Sequence, residues 1–221
     1  MKLYGYWRSS ATWRVRIALA LKGLTAEYVP VNLLAGAQTA PGYTAINPQN
    51  LVPSLETDDG DLLTQSLAII RYLDRAYPDQ PLTPLDPAKA AQVEAVAMTI
   101  ACEAQPFGNL RVLTMLQDDH GFSKTDIANW INRWPVKALH AAQQLIARHQ
   151  PGVNSMFSFG DTPGLAEAFL IPQLAPVRRF GGDLSGLDRL LAVEAACTAH
   201  PAFIDAHPDN QPDHPDREDP S

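Results

Sequence analysis

Apolar and polar positions in the first 80 residues follow strand and helix periodicity in turn. They predict a strand, a helix and a strand, then two strands and a second helix, over residues 2–6, 12–22, 28–32, 51–56, 62–64 and 66–76. The helical crossover makes the first two strands parallel, and Asp-Asp-Gly-Asp at 58–61 joins the last two as a hairpin. This order predicts an α/β thioredoxin-like N-terminal domain over residues 1–80.

After residue 76 the chain passes through a proline-rich segment and then shows only helical periodicity. Residues 77–87 contain four prolines and cannot form a helix or a central strand, so residues 81–87 are predicted to be a linker. Beyond it, apolar positions recur only at helical spacing, in segments 87–118, 124–149, 164–180 and 186–199. The pattern predicts an all-α C-terminal domain over residues 88–206. Residues 207–221 form an acidic, proline-rich tail whose final residues are expected to be disordered.

Charge and composition exclude several classes of function. The net charge of −7 lies mostly in the tail and leaves no broad basic surface for nucleic acid. There is neither a signal-peptide core nor an apolar run near the ~20 residues that span a bilayer, so we expect a cytoplasmic protein that does not enter the membrane. Cys102 and Cys197 stand without a CxxC or Cys/His cluster. We therefore expect two buried thiols, no disulfide framework and no metal site.

Candidate chemistry begins at the turn between the first strand and the first helix. Ser9 and Ser10 lie there, at the positive end of a helix, where free N–H groups and the helix dipole favour an anion. Pro53, in Val52-Pro53, stands at the start of the third strand, where proline loses a ladder donor. Ser66 follows Gln65 before the next helix and, taken alone, is an ordinary helix N-cap.

Taken together, these motifs resemble the zeta-class glutathione transferases, the family of maleylacetoacetate and maleylpyruvate isomerases. The resemblance runs nearly end to end and includes residues 158–163 and 207–213. It implies glutathione transferase architecture and glutathione as the cofactor. It also implies a homodimer in which the thioredoxin-like domain of one chain pairs with the first long helix of the other.

The resemblance also implies roles for individual residues. A serine hydroxyl stabilises the thiolate of glutathione, with Ser9 preferred and Ser10 as the alternative. The Val52–Pro53 bond is cis and turns the Val52 backbone toward the cysteinyl backbone, while Gln65 and Ser66 bind the γ-glutamyl carboxylate. The glutathione-binding residues implied in this way are Ser9, Gln38, Val52, Pro53, Gln65, Ser66 and Gln105.

Three arginines fit a dicarboxylate substrate because guanidinium groups form forked, charge-assisted hydrogen bonds with carboxylates. Arg8 and Arg179 match the family, whereas Arg111 resembles the maleylpyruvate isomerase relatives and not the usual maleylacetoacetate isomerases. Each could instead be a surface arginine or part of an interhelical ion pair. The chain departs from many relatives at Ala11, where they have a cysteine.

The motifs and the resemblance together predict a glutathione-dependent cis–trans isomerase that acts on maleylacetoacetate or maleylpyruvate in the catabolism of aromatic compounds. A glutathione-conjugating transferase or α-halo-acid dehalogenase is the first alternative, and a non-catalytic, glutathione-transferase-like binding module is the second. Isomerisation leaves glutathione unconsumed, conjugation consumes it, and absence of glutathione binding would favour the inert module.

Overall fold

A four-stranded mixed sheet forms the centre of the first unit. The computed structural model describes residues 1–150 and 155–217. Its strands are β1 (Lys2–Gly5), β2 (Glu27–Pro30), β3 (Ser54–Glu56) and β4 (Leu62–Thr64). They stand in the order β2-β1-β3-β4, with β1 and β2 parallel and the other pairs antiparallel. The thioredoxin-like fold and the parallel pairing are confirmed.

Three helices accompany this sheet: α1 (Ser10–Leu21), α2 (Pro41–Ile46) and α3 (Ser66–Ala76). Helix α1 is buried from Thr12 through Leu19, in agreement with its nearly continuous apolar circumference. Gly5 at the end of β1 permits this close packing, because a Cβ atom there would lie 2.3 Å from Cγ2 of Thr12. That separation is far inside van der Waals contact.

The second unit, Thr83–Thr198, is helical. Its helices are α4 (Pro87–Thr99), α5 (Leu110–Asp118), α6 (Lys124–Ile131), α7 (Lys137–His149), α8 (Leu165–Arg179) and α9 (Asp188–Thr198). The all-α prediction is confirmed for the described part of this unit, apart from one isolated bridge between Phe157 and Gly160.

Two of the predicted long helices are interrupted. The segment predicted as one helix over 87–118 passes through a π turn at Ile100–Ala104 and a 3-10 turn at Pro106–Gly108 before α5 begins. Pro106 supplies no backbone N–H donor, so the hydrogen bonding of the α-helix is interrupted there. The segment over 124–149 contains a π turn at Asn132–Val136 around Pro135. Apolar residues keep helical spacing across both interruptions, so the sequence pattern did not reveal them.

The C-terminal boundary differs from the predicted one. From Ala199 onward the chain clusters with residues 1–82 and not with the helical unit. It forms a short helix, α10 (Pro201–Asp205), which packs on α1, and a 3-10 turn at Pro208–Asn210. Side-chain amides hold this segment, since Asn210 donates to the carbonyl of Ile204 and Gln211 to that of Asp205. Residues 218–221, where disorder was expected, lie outside the described residues.

Composition also raised the questions of a membrane span, a metal site and the state of the two cysteines. No helix among the described residues is long and apolar enough to cross a membrane. The same residues contain no group of His, Cys, Asp and Glu side chains that could hold a metal ion. Cys197 is buried and free, whereas Cys102 is free but exposed. The expectation that both thiols are buried is therefore wrong for Cys102, which lies on the outer side of the π turn after α4.

Candidate active site

Three sequence motifs lie side by side at one end of strands β1, β3 and β4. In the ladder, Tyr4 of β1 pairs with Ser54 of β3, and Ser54 pairs with Thr64 of β4. The turn that holds Ser9 follows β1, Val52-Pro53 precedes β3, and Gln65-Ser66 follows β4. Strand register thus places all three motifs beside one another, although 56 positions of sequence separate Ser9 from Gln65.

Ser9 is the N-cap of α1, and Ser10 is its first helical residue. The Ser9 hydroxyl oxygen accepts a hydrogen bond from the N–H of Thr12 at 3.2 Å, and its own N–H donates to the carbonyl of Tyr6 at 2.9 Å. A hydroxyl that accepts through a lone pair keeps its proton for donation. Ser9 is therefore oriented to donate a hydrogen bond, whereas Ser10 has no capping contact of this kind.

The electrostatics of this turn favour an anion. The first turn of α1 contains no acidic residue that would oppose the positive end of the helix dipole. Arg8 adds a cation next to it, and its guanidinium carbon lies 5.3 Å from the ring centroid of Trp7. Contact with an aromatic face restricts the arginine side chain without neutralising its charge.

The Val52–Pro53 bond is cis, so that prediction is confirmed. The ladder with β1 ends at Ser54, and the backbone N–H and C=O groups of Val52 therefore lie beyond it. Tyr43 and Asn47 hold the segment in place, because each donates to the carbonyl of Leu51 at 2.7 Å. Burial raises the pKa of Tyr43, which keeps its phenol protonated as a donor.

Tyr43 and Asn47 were missed by the sequence reasoning. They contact a carbonyl eight and four positions further along the chain, and no short-range motif marks that contact. Asn47 precedes Pro48, a pair typical of turns, which is the one local signal for its position. Their role depends on how α2 packs against the entry to β3.

Gln65 and Ser66 begin α3 in an unusual way. The N-cap is Gln65, at φ 69°, and it makes no side-chain capping bond. Ser66 is the first helical residue, so its interpretation as an ordinary N-cap is wrong. Its hydroxyl oxygen instead accepts from Nη1 of the buried Arg14 at 3.4 Å. An uncapped helix N-terminus with a buried guanidinium beside it is suited to bind a carboxylate.

Two glutamines present amide oxygens that have no partner. Oε1 of Gln38, in the 3-10 turn Ala37–Thr39, and Oε1 of Gln105, after the π turn of the second unit, are both buried without a hydrogen bond among the described residues. A buried acceptor left unpaired costs ~1–3 kcal/mol. Each is therefore an acceptor that a ligand N–H would satisfy.

The two remaining arginines belong to the second unit, and both are exposed. Arg111 lies in the first turn of α5, where its backbone N–H donates to Oδ1 of Asn109 at 3.1 Å. Arg179 is the last residue of α8, with its guanidinium carbon 5.8 Å from the ring centroid of Phe180. That these two act with Arg8 on one substrate stays a prediction.

Comparison with known proteins agrees with this geometry. A model of the glutathione S-transferase N-terminal domain matches residues 3–81. The chain is 44% identical over 217 residues to maleylacetoacetate isomerase of Pseudomonas aeruginosa, covering 97% of this chain and 99% of that protein. The holo structure of a maleylpyruvate isomerase, a bacterial zeta-class glutathione S-transferase, superposes with a TM-score of 0.91 at 39% identity, over 96% of this chain and 99% of that one.

This chain belongs to the zeta-class glutathione transferase family. A further relative, maleylacetoacetate isomerase from Anaeromyxobacter dehalogenans 2CP-1, was crystallised with GSH bound in its active site. It is 42% identical to this chain, with a TM-score of 0.85 and 97% of each chain covered. The zeta-class architecture accounts for both the thioredoxin-like unit and the helical unit.

Backbone strain at Gln65 can be tested by comparing two variants. Gln65→Gly and Gln65→Ala both remove the amide that donates to Gln49, but only glycine adopts a positive φ without a steric cost. Relief of the strain gains ~1–3 kcal/mol, against ~0.5–1 kcal/mol for the extra freedom of glycine in the unfolded chain. We expect the glycine variant to be more stable by about 1 kcal/mol in urea unfolding.

The control is Ala68→Gly, at an exposed position of α3 with ordinary helical geometry. There glycine should destabilise by ~0.5–1 kcal/mol. Equal stability of the two Gln65 variants would contradict a strained backbone at that position.

Proposed function

We propose that this chain is a glutathione-dependent isomerase that converts maleylacetoacetate or maleylpyruvate to the fumaryl isomer, as part of aromatic catabolism. The observation that carries the proposal is that Ser9, Val52-Pro53 and Gln65-Ser66 lie together at one end of neighbouring strands. Its support from relatives is the 44% identity to a maleylacetoacetate isomerase over nearly the whole chain.

The residues at these strand ends match the polar groups of glutathione one by one. The uncapped N-terminus of α3, with Ser66 and the nearby Arg14, suits the γ-glutamyl carboxylate. The free backbone groups of Val52 suit the cysteinyl backbone, which is a peptide with one donor and one acceptor at the same spacing. The unpaired oxygen of Gln38 suits an amide N–H of the peptide. Gln105 is proposed as a further contact, as the family resemblance implies.

Ser9 is the proposed catalytic residue. When bound, glutathione supplies a thiolate that adds to the conjugated cis double bond and later leaves, so that the substrate rotates about a single bond in between. The Ser9 hydroxyl, whose oxygen already accepts from Thr12, donates its proton in a hydrogen bond to the sulfur. Together with the positive end of α1, this donor favours the charged form of the thiol.

Arg8, Arg111 and Arg179 are proposed to bind the substrate. The substrate carries two carboxylates and a ketone, and guanidinium groups pair with carboxylates through two parallel N–H donors. A cation near the ketone also stabilises the negative charge that develops on its oxygen. Arg8 is the best supported of the three, because it directly precedes Ser9 on the same turn.

Product analysis tests the proposal against its alternatives. The chain is supplied with a substoichiometric amount of glutathione and either maleylacetoacetate or maleylpyruvate. Formation of the fumaryl product with full recovery of glutathione supports the isomerase. Turnover that stops when the glutathione is exhausted, with one glutathione lost per product formed, supports a conjugating transferase. Release of halide from an α-halo acid in a parallel assay supports a dehalogenase. Binding of glutathione with no turnover of any substrate supports a non-catalytic module.

We also propose that the protein is a cytoplasmic homodimer. The cytoplasm is where reduced glutathione is abundant. Dimerisation is supported by apolar side chains on the two elements that the family resemblance pairs. Leu62 on the edge strand β4 is 46% exposed, and Met98 on α4 is 39% exposed. Apolar side chains on an edge strand favour association, which a symmetric interface would satisfy.

Light scattering at micromolar concentration is expected to give twice the mass of one chain. Met98→Glu should shift the protein toward monomer, because a carboxylate in an apolar interface is desolvated without a partner. Met156→Glu makes the same change at another exposed methionine and should leave the dimer intact. A monomeric wild-type protein would refute the proposed assembly.

Ser9→Ala should lower kcat by ~10²–10³, the usual effect of losing one positioned donor to a charged centre. KM for glutathione should change little, because Gln65, Ser66 and the Val52 backbone hold the peptide. Ser10→Ala is the matched control and should retain most of the turnover, measured by steady-state kinetics. An equal loss in both variants, or none in Ser9→Ala, would overturn the assignment.

Arg111→Ser should reduce maleylpyruvate turnover more than maleylacetoacetate turnover. A lost charge-assisted contact is worth ~1.5–3 kcal/mol, so the ratio of kcat/KM for the two substrates should change by ~10- to 100-fold. Arg148→Ser, at an exposed position of α7, serves as the control and should leave the ratio unchanged. An unchanged ratio in Arg111→Ser would make Arg111 a surface residue.

A further inference from the structure

The C-terminal segment, residues 199–217, reaches the turn that carries Ser9. Helix α10 packs on α1, and beyond it the chain passes the start of the same helix. The ring of His207 stands edge-on to that of Trp13, with centroids 5.2 Å apart, and the ring of His214 stands edge-on to that of Trp7 at 4.5 Å. The segment that composition marks as a polar tail therefore lies against the residues on either side of Ser9.

Both backbone polar groups of Trp7 are bound by charged side chains. Its N–H donates to Oδ2 of Asp213 at 2.9 Å. Its C=O accepts from Nη2 of Arg16 at 2.9 Å. Charge-assisted hydrogen bonds are about twice as strong as neutral ones. Trp7 is thus fixed from both sides, two residues before Ser9.

The two charged side chains are themselves held in place. Arg16 is 7% exposed and also donates through Nε to the carbonyl of Ala206 at 3.1 Å, which ties α1 to the C-terminal segment. Burial lowers the pKa of Arg16 to about 10, opposed by Tyr28 and by the charge of Asp213, so it stays charged at pH 7. Oδ2 of Asp213 accepts a second bond from the Tyr28 hydroxyl at 3.3 Å.

Only one oxygen of Asp213 makes these contacts. Oδ2 accepts from both the N–H of Trp7 and the hydroxyl of Tyr28, whereas Oδ1 is buried without a hydrogen-bond partner among the described residues. The carboxylate therefore directs its hydrogen bonding at the turn before Ser9.

We propose that Asp213 is a positioning residue for Ser9 and acts through the backbone N–H of Trp7. The proposal rests on the function proposed above. It adds a residue of the C-terminal segment to the groups that position Ser9. Ser9 is fixed on its C-terminal side by its contact with Thr12, and on its N-terminal side the turn depends on Trp7. Displacement of a reacting group by 1 Å can cost ~10² in rate. Loss of this contact should therefore shift the Ser9 hydroxyl and slow the reaction.

The test compares Asp213→Asn with Asp205→Asn in the full chain. The two substitutions make the same change of charge in the same segment, but Asp205 is exposed at the end of α10. Asp216 is avoided as a control because its carboxylate lies 4.0 Å from His214, whose ring packs on Trp7. The first readout uses the ligand-free protein, in which amide hydrogen exchange at Trp7 should be faster in Asp213→Asn and unchanged in Asp205→Asn.

The second readout is the ionisation of bound glutathione, followed by the ultraviolet absorbance of its thiolate against pH. A misplaced Ser9 hydroxyl should raise the apparent pKa of the bound thiol in Asp213→Asn and lower kcat by ~10-fold. KM for glutathione should change much less, because the groups that bind the peptide lie elsewhere. Asp205→Asn should match the wild type in all three quantities.

Faster exchange at Trp7 with a wild-type thiol pKa and kcat would overturn the proposal and leave Asp213 as a structural contact only. If Asp213→Asn does not fold, Asp213→Glu decides, because its longer side chain keeps the charge but shifts the carboxylate. A wild-type thiol pKa in that variant would refute the inference. If the wild type ionises bound glutathione but isomerises neither substrate, the proposed function fails while the thiol pKa still tests Asp213.

Discussion

The approach of α1 to β1 at Gly5 is the constraint on which the site depends. A side chain at Gly5 would collide with Thr12, so the first turn of the helix can pack on the end of the strand only because none is present. Thr12 is also the residue whose N–H binds the Ser9 hydroxyl. The packing that begins the helix therefore also orients the residue proposed to act on the thiol.

Helix α1 carries two buried cations in opposite directions. Arg14 and Arg16 are 3% and 7% exposed, and residues two apart on a helix lie on different faces. Arg14 reaches Ser66 at the start of α3, whereas Arg16 reaches Trp7 and Ala206. A buried charge is tolerated where polar partners compensate for its lost hydration. One helix thus links the start of α3, where we propose that a carboxylate binds, to the C-terminal segment.

Local pattern was enough to predict most of the fold. The succession of elements along the chain, the parallel pair, the hairpin and the helical second unit follow from periodicity and turn residues, which act over a few positions. The same reasoning failed where a distant partner decides the outcome. Ser66 has the composition of an N-cap, yet the backbone of Gln65 takes that position and the hydroxyl accepts from Arg14. Composition likewise gave no sign that Asp213, in the acidic C-terminal segment, binds a backbone group 206 positions earlier.

Both ends of the chain build the unit that contains Ser9, and this has a consequence for biosynthesis. The sheet and its three helices are complete within the first 82 residues, whereas α10 and the carboxylate of Asp213 leave the ribosome only after the whole helical unit. Closure of so long a loop is entropically cheaper when the intervening helices have already folded and shortened its span. The turn around Ser9 therefore acquires this anchor only after the helical unit has been synthesised, and a nascent chain holds the turn without it until then.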